Sequence, residues 1–96
     1  MLMSDIKILV VDDSSVTREM LQSYFAEEGY SVSTAETAEA AETLLSEHEF
    51  DLVLLDIRLP GKDGLTLTRE LRSRSEVGII LVTGKQDEID RIISLE

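Results

Sequence analysis

The chain has 96 residues, the size of one domain, and 43% of them are hydrophobic, which is enough for a packed core and argues against disorder. Nine basic residues oppose twenty acidic ones, and the formal net charge of −11 should repel a phosphate backbone, so we expect no direct contact with nucleic acid. The absence of cysteine excludes disulfides, thiolate zinc sites and thiol nucleophiles, and without a signal peptide or a long apolar run we expect a cytoplasmic protein with no membrane contact.

Strand patterns and helix patterns alternate along the whole chain. In chain order we predict a strand at 6–11, a helix from Ser14 or Ser15 to about 28, an edge strand at 30–35, a helix at 37–47, a strand at 50–55, a helix from Asp63 or Gly64 to about 74, a strand at 77–82 and a helix from Asp87. This alternation is typical of a parallel sheet with right-handed crossovers and helices on both faces.

Apolar residues at helical spacing predict which face of each helix turns toward the sheet. They are Val16, Met20, Leu21, Tyr24 and Phe25 in the first helix, Ala38, Ala41, Leu44 and Leu45 in the second, Leu65, Leu67 and Leu71 in the third, and Ile89, Ile92 and Ile93 in the last. Gly29 supplies the end of the first helix.

The most informative stretch is the run of four aliphatic residues at 52–55, which ends in the carboxylate of Asp56. A short apolar run without polar alternation is typical of a strand buried on both faces. Ligands of open parallel sheets bind beyond the carboxyl ends of the strands, so Asp56 lies where chemistry is expected. No glycine-rich nucleotide-binding motif follows the first strand or occurs elsewhere, which disfavours dinucleotide and P-loop functions.

Further polar residues follow the neighbouring strands: Asp12 and Asp13 after the first, Thr83 and Gly84 after the fourth. If the first, third and fourth strands are neighbours, these groups converge with Asp56. Carboxylates this close repel one another unless a cation shares the site, and Mg²⁺ prefers carboxylate and carbonyl oxygens. A carboxylate beside Mg²⁺ can attack a phosphoryl group and form an acyl phosphate, whose oxygens the Thr83 hydroxyl and the Gly84 amide could hold.

Each of these residues also has a purely structural explanation. Asp12 and Asp13 could stabilise the N-terminus of the first helix, Asp56 could cap its own loop, and Thr83 could simply favour a strand. Their joint occurrence at three strand ends of one alternating fold favours a binding site over these separate explanations.

Three stretches, at 8–13, 54–64 and 81–84, are together similar to the signature of bacterial response-regulator receiver domains. The chain further resembles the receivers of winged-helix transcription regulators, in particular those of trimethylamine-N-oxide respiration. The resemblance implies a flavodoxin-like, doubly wound parallel α/β sheet of order 2-1-3-4-5, with residues 1–96 forming one receiver domain that lacks the fifth strand and helix. Because the apolar fourth strand would then be a poor exposed edge, we expect the natural protein to continue past Glu96 or a partner chain to cover this edge.

The resemblance also implies roles for individual residues. Asp56 matches the phosphoacceptor, Thr83 the switch hydroxyl, Gly84 the amide that approaches the phosphoryl group, and Asp12, Asp13, Asp56 and the backbone carbonyl of Arg58 the Mg²⁺ ligands. The implied partner is a sensor histidine kinase, and the implied output is transcriptional, through a separate DNA-binding domain and with a possible homodimer. Such a domain is not an enzyme beyond assisting its own phosphorylation and dephosphorylation.

One feature of the family has no counterpart in these residues. Receivers carry a lysine followed by proline after the fifth strand, and neither Lys62 nor Lys85 matches it. The alternative function is therefore a non-phosphorylated pseudo-receiver that acts as a protein-interaction module, although the carboxylates and Thr83 favour the phosphorylated form. An aspartate-based phosphatase is a weaker third possibility. Such enzymes need an acid two residues after the nucleophile, and here that position holds Arg58.

Overall fold

The structure, a computed structural model, describes residues 6–59 and 63–82 and the backbone of residues 92–95. The elements are β1 (Lys7–Val11), α1 (Ser15–Glu27), β2 (Ser31–Ala35), α2 (Ala38–Glu47), β3 (Leu52–Asp56), α3 (Gly64–Arg72), β4 (Gly78–Val82) and β5 (Ile92–Leu95). The seven elements predicted between residues 6 and 82 are confirmed, and their ends lie within two residues of the predicted ones.

The five strands of the described residues form one sheet in the order β2-β1-β3-β4-β5. Strands β1 to β4 pair in parallel, so the predicted parallel order 2-1-3-4 is confirmed. β2 is an edge strand, as its alternating sequence predicts, whereas β1 and β3 have a neighbour on each side. Central strands are covered on both faces, which explains why their sequences are continuously apolar.

The sheet has a fifth strand where the sequence analysis expected none. The isoleucine spacing predicts a helix that begins at Asp87, which lies outside the described residues, and that includes Ile92 and Ile93. Instead Ile92–Leu95 pair antiparallel with β4, with Ile92 opposite Val82. The prediction is wrong at these four residues because a short apolar segment fits a helix or a strand equally well, and the apolar edge of β4 offers unpaired backbone groups to β-branched residues.

Successive residues of each inner strand point to opposite faces of the sheet and so build two separate core layers. The larger layer lies on the face covered by α2 and α3 and consists of Leu9, Val11, Ala35, Ala38, Ala41, Val53, Leu55, Leu59, Leu67, Leu71, Ile79 and Leu81. The smaller layer lies under α1 and is centred on Ile8, Val10 and Leu54. Since each fully buried aliphatic side chain stabilises the fold by about 1.5–3 kcal/mol, these layers fix the strands that carry the candidate site.

Helix α1 packs on the smaller layer through only part of its predicted apolar face. Leu21 and Phe25 contact this layer. In contrast, Val16, Met20 and Tyr24 are 72%, 59% and 57% exposed, so the prediction that they face the core is wrong. These three residues form a row at i, i+4 and i+8 that lies one residue, or about 100°, away from the row of Leu21 and Phe25.

The described helices each begin at a side-chain cap. Ser14, Thr37 and Asp63 each accept a hydrogen bond from the backbone N–H three residues later. Gly29 follows α1 with a φ of 98°, a left-handed conformation that favours glycine. In α3, Leu67 is buried but Leu65 is exposed to solvent. Among the residues that the structure describes, no helix is both long enough and apolar enough to cross a bilayer.

Candidate functional site

The pairing register brings the carboxyl ends of β1, β3 and β4 to one edge of the sheet. Val11 pairs with Leu55, and Asp56 pairs with Val82. Asp12 follows directly after β1, and Asp56 is the last residue of β3. The carboxylates predicted to converge therefore lie at the ends of neighbouring strands, at the edge where ligands of parallel sheets bind.

Asp12, Asp13 and Asp56 form one compact carboxylate cluster. One carboxylate oxygen from each residue lies within 4.8 Å of the others. Asp12 and Asp56 are buried and Asp13 is exposed, so the cluster is open to solvent on one side. Oxygens bound to one Mg²⁺ at 2.0–2.1 Å lie at most about 4.2 Å apart, which is close to the spacing of these three oxygens. This donor set fits a hard divalent cation, and within 6–59 and 63–82 it is the only such group of three.

Backbone N–H groups orient two of these carboxylates. Ser14 N–H donates to Asp12 Oδ1 at 2.8 Å, and Arg58 N–H donates to Asp56 Oδ1 at 3.0 Å. In both cases the donor lies two residues after the acceptor, a local turn that aspartate favours. The backbone of Arg58 thus lies next to Asp56, and the assignment of its carbonyl to the metal stays a prediction.

The start of α3 is pressed against the end of β3 at Gly64. Gly64 N–H donates to the Ile57 carbonyl oxygen at 2.9 Å. A Cβ atom added at Gly64 would lie 2.4 Å from the Asp56 carbonyl oxygen, so only glycine fits without a shift of backbone. The sequence predicts Asp63 or Gly64 as the start of the third helix, and the close approach of Gly64 constrains the backbone of Asp56.

The remaining predicted site residues follow β4. Ile57 N–H donates to the Val82 carbonyl oxygen at 3.3 Å, which extends the pairing between β3 and β4 beyond Asp56. Thr83 and Gly84 come directly after Val82 in the sequence and lie outside the described residues. Their roles at the phosphoryl group stay predictions.

Arg18 is a residue of this site that the sequence analysis missed. Its Nη1 donates to the Asp12 carbonyl oxygen at 2.8 Å, so it contacts the loop that carries two of the three carboxylates. Its position in the sequence, four residues after the helix cap Ser14, could have indicated a special role. A basic residue close to a helix N-terminus opposes the helix dipole, so it calls for another explanation.

Comparison with known families agrees with this arrangement of strands and carboxylates. The family model of the response regulator receiver domain matches residues 8–96. The chain belongs to this receiver family. The predicted family is confirmed, and the carboxylate cluster described above lies in a receiver domain.

Two curated relatives of this receiver are transcriptional regulators. The transcriptional regulatory protein AruR of Pseudomonas aeruginosa is 65% identical over 94% of this chain. The TorCAD operon transcriptional regulatory protein TorR of Escherichia coli K12 is 53% identical over 93% of this chain. The receiver spans 39% of the length of each of these regulators.

Two solved structures share the fold of this receiver. The receiver domain of the TMAO respiratory system response regulator TorR has a TM-score of 0.79 at 51% identity and covers 90% of this chain and 72% of its own. TrrA of Thermotoga maritima, solved in complex with Mg²⁺-BeF, has a TM-score of 0.79 at 41% identity and covers 84% of this chain and 71% of its own. The predicted flavodoxin-like receiver fold and the resemblance to trimethylamine-N-oxide regulators are confirmed.

Proposed function

We propose that this receiver is a phosphoacceptor, in which Asp56 takes a phosphoryl group from the phosphohistidine of a sensor histidine kinase. The observation that supports this best is the meeting of Asp56, on β3, with the carboxylates of Asp12 and Asp13, which follow β1. If Asp56 only capped its own loop, it would need no neighbouring carboxylates. Like charges this close repel one another unless a cation lies between them. The cluster therefore favours phosphoryl chemistry over three separate structural roles.

Mg²⁺ is the cation that we assign to the cluster. Asp12, Asp13 and Asp56 would hold it, with the backbone carbonyl of Arg58 as a further ligand. When bound, the ion neutralises charge on the carboxylates and on the phosphoryl oxygens. The complex of the relative TrrA with Mg²⁺-BeF supports this assignment.

In the proposed reaction a carboxylate oxygen of Asp56 attacks the phosphorus atom. The new O–P bond forms while the P–N bond of the phosphohistidine breaks, and its electron pair returns to the imidazole nitrogen. The products are an acyl phosphate on Asp56 and an unmodified histidine on the kinase. The Arg58 N–H, 3.0 Å from Asp56 Oδ1, holds the carboxyl group in a fixed orientation for this attack.

Thr83 and Gly84 complete the proposed switch. The Thr83 hydroxyl and the Gly84 amide would bind the oxygens of the new phosphoryl group. The added dianion would draw Thr83 inward and shift an existing conformational equilibrium. We assign a transcriptional output to a DNA-binding domain outside these 96 residues, because AruR and TorR are transcriptional regulators and this chain spans 39% of each. Homodimerisation and a cytoplasmic location stay predictions.

Phosphorylation with a small acyl phosphate donor tests the proposal without a kinase. The protein is incubated with the donor and with or without Mg²⁺, and its intact mass is measured. We expect one phosphoryl group per chain, dependent on Mg²⁺, stable in acid and labile in base, and lost in Asp56→Asn.

Asp51→Asn is the matched control, because Asp51 precedes β3 at the opposite edge of the sheet and its carboxylate accepts the Lys7 N–H at 2.8 Å. This variant should be phosphorylated like the wild type. Labelling that persists in Asp56→Asn or ignores Mg²⁺ would contradict the proposal. A wild type that takes up no phosphoryl group would favour the pseudo-receiver.

A further inference from the structure

Arg18, on helix α1, contacts the backbone of Asp12, one of the three residues of the carboxylate cluster. Its Nη1 donates to the Asp12 carbonyl oxygen at 2.8 Å, and its Nη2 lies 4.0 Å from Glu36 Oε1. Only 19% of the Arg18 side chain is exposed, whereas the Glu36 side chain is 68% exposed. The hydrogen bond to the carbonyl is therefore the stronger contact, since exposed ion pairs at this distance contribute little.

The carbonyl that Arg18 binds belongs to the peptide unit between Asp12 and Asp13. A peptide unit is planar, so a contact that fixes its oxygen also fixes the direction in which the chain enters Asp13. Two further hydrogen bonds hold Asp12: its N–H donates to the Ala35 carbonyl oxygen at 3.1 Å, and its Oδ1 accepts from Ser14 N–H at 2.8 Å. Arg18 adds the contact that orients the peptide unit joining the two carboxylate residues.

We propose that Arg18 is a positioning residue for the divalent cation: it holds the peptide unit between Asp12 and Asp13 so that both carboxylates reach the same ion. Arg18 does not contact the ion. The inference rests on the proposed function, because it requires that this cluster binds Mg²⁺.

The direction in which Mg²⁺ affinity changes when Arg18 is removed distinguishes a positioning role from simple charge repulsion. A positive guanidinium near the cluster repels a cation, so electrostatics alone predicts that its removal strengthens Mg²⁺ binding. If Arg18 positions the ligands, its removal should instead weaken Mg²⁺ binding. Groups that hold metal ligands in place typically change metal affinity by about 10- to 100-fold when they are removed.

Calorimetric titration of the whole chain with Mg²⁺ tests the proposal. Arg18→Met keeps much of the stem but removes the donor, and it should weaken binding by about 10- to 100-fold. Arg18→Gln, a second neutral variant, should weaken it similarly. Arg18→Lys can still donate one hydrogen bond to the carbonyl and should recover most of the loss, a rescue that a purely structural role would not produce. Arg74→Met removes the same charge from an exposed position beyond α3 and should bind like the wild type.

Three results would overturn the role of Arg18. These are unchanged or tighter Mg²⁺ binding in folded Arg18→Met or Arg18→Gln, no recovery in Arg18→Lys, and an equal loss in Arg74→Met. The variant Asp13→Asn distinguishes a failure of the Arg18 proposal from a failure of the proposed function. If the wild type binds Mg²⁺ and Asp13→Asn does not, a negative result counts against Arg18 alone. If the wild type binds no Mg²⁺, the proposed function and the role of Arg18 are both contradicted.

Discussion

Replacement of Gly64 by alanine would place a methyl group in the junction between β3 and α3. The new Cβ would lie 2.4 Å from the Asp56 carbonyl oxygen and 2.8 Å from Ile57 Cα. Both are backbone atoms that cannot rotate away, and an ordinary contact needs about 3.5 Å. The start of α3 and the end of β3 must therefore separate by about 1 Å.

The cost of this separation can be set against the better helix propensity of alanine. Overpacking typically destabilises a protein by about 1–3 kcal/mol, and an alanine in a helix recovers at most about 1 kcal/mol relative to glycine. Because the clash is with backbone atoms, the overpacking cost should lie at about 2–3 kcal/mol, which leaves a net loss of about 1–2 kcal/mol for Gly64→Ala. In a domain of about this size that loss lowers the melting temperature by about 4–16 °C.

Thermal unfolding followed by circular dichroism measures this loss, and Gly78→Ala is the matched control. A Cβ at Gly78 would lie 3.4 Å from the Asp51 carbonyl oxygen and from Leu52 Cδ1, which is close to an ordinary contact. Its stability should therefore change by less than about 1 kcal/mol. A wild-type melting temperature for Gly64→Ala, or a larger loss for Gly78→Ala, would refute the close packing of α3 on β3.

The remaining predictions concern the core and the helix caps. Leu9→Ala should cost about 2–5 kcal/mol in urea unfolding because Leu9 is fully buried, whereas Met20→Ala, on the exposed row of α1, should cost less than about 0.5 kcal/mol. Thr37→Ala should cost about 1 kcal/mol in the same assay, because the Ala40 N–H loses its acceptor. The Thr66 backbone N–H, and then its hydroxyl, hold the pKa of Asp63 below the usual 3.8. The ionised cap therefore stabilises the fold fully above that value and less as the pH falls through the lowered pKa, and Asp63→Asn should remove this part of the pH dependence.

The sheet and the position of the cluster were predictable because their signals are local and strong. The unbroken aliphatic run of β3, followed by turn residues, is typical of a strand covered on both faces, and parallel strands necessarily place their carboxyl ends at one edge. The convergence of Asp12, Asp13 and Asp56 followed from strand order alone. The orientations of the individual carboxylates could not be predicted in this way, since they depend on the turns at Ser14 and Arg58.

Other features depend on contacts that a sequence pattern does not specify. The row of Val16, Met20 and Tyr24 has the same spacing as a core face, and only the neighbours of α1 decide which row is buried. The strand Ile92–Leu95 depends on the unpaired edge of β4, which is a tertiary property. The contact of Arg18 with the Asp12 carbonyl likewise depends on how α1 lies against β1.

The central claim is that the carboxylates after β1 and at the end of β3 share one divalent cation, and NMR titration with paramagnetic Mn²⁺ in place of Mg²⁺ tests it most directly. We predict that amide signals near Asp12, Asp13 and Asp56 broaden first, that those of Asp51 and Gly78 at the other edge of the sheet stay sharp, and that excess Mg²⁺ reverses the effect. Broadening centred on the opposite edge, or equal broadening throughout the chain, would contradict a shared cation site at these strand ends.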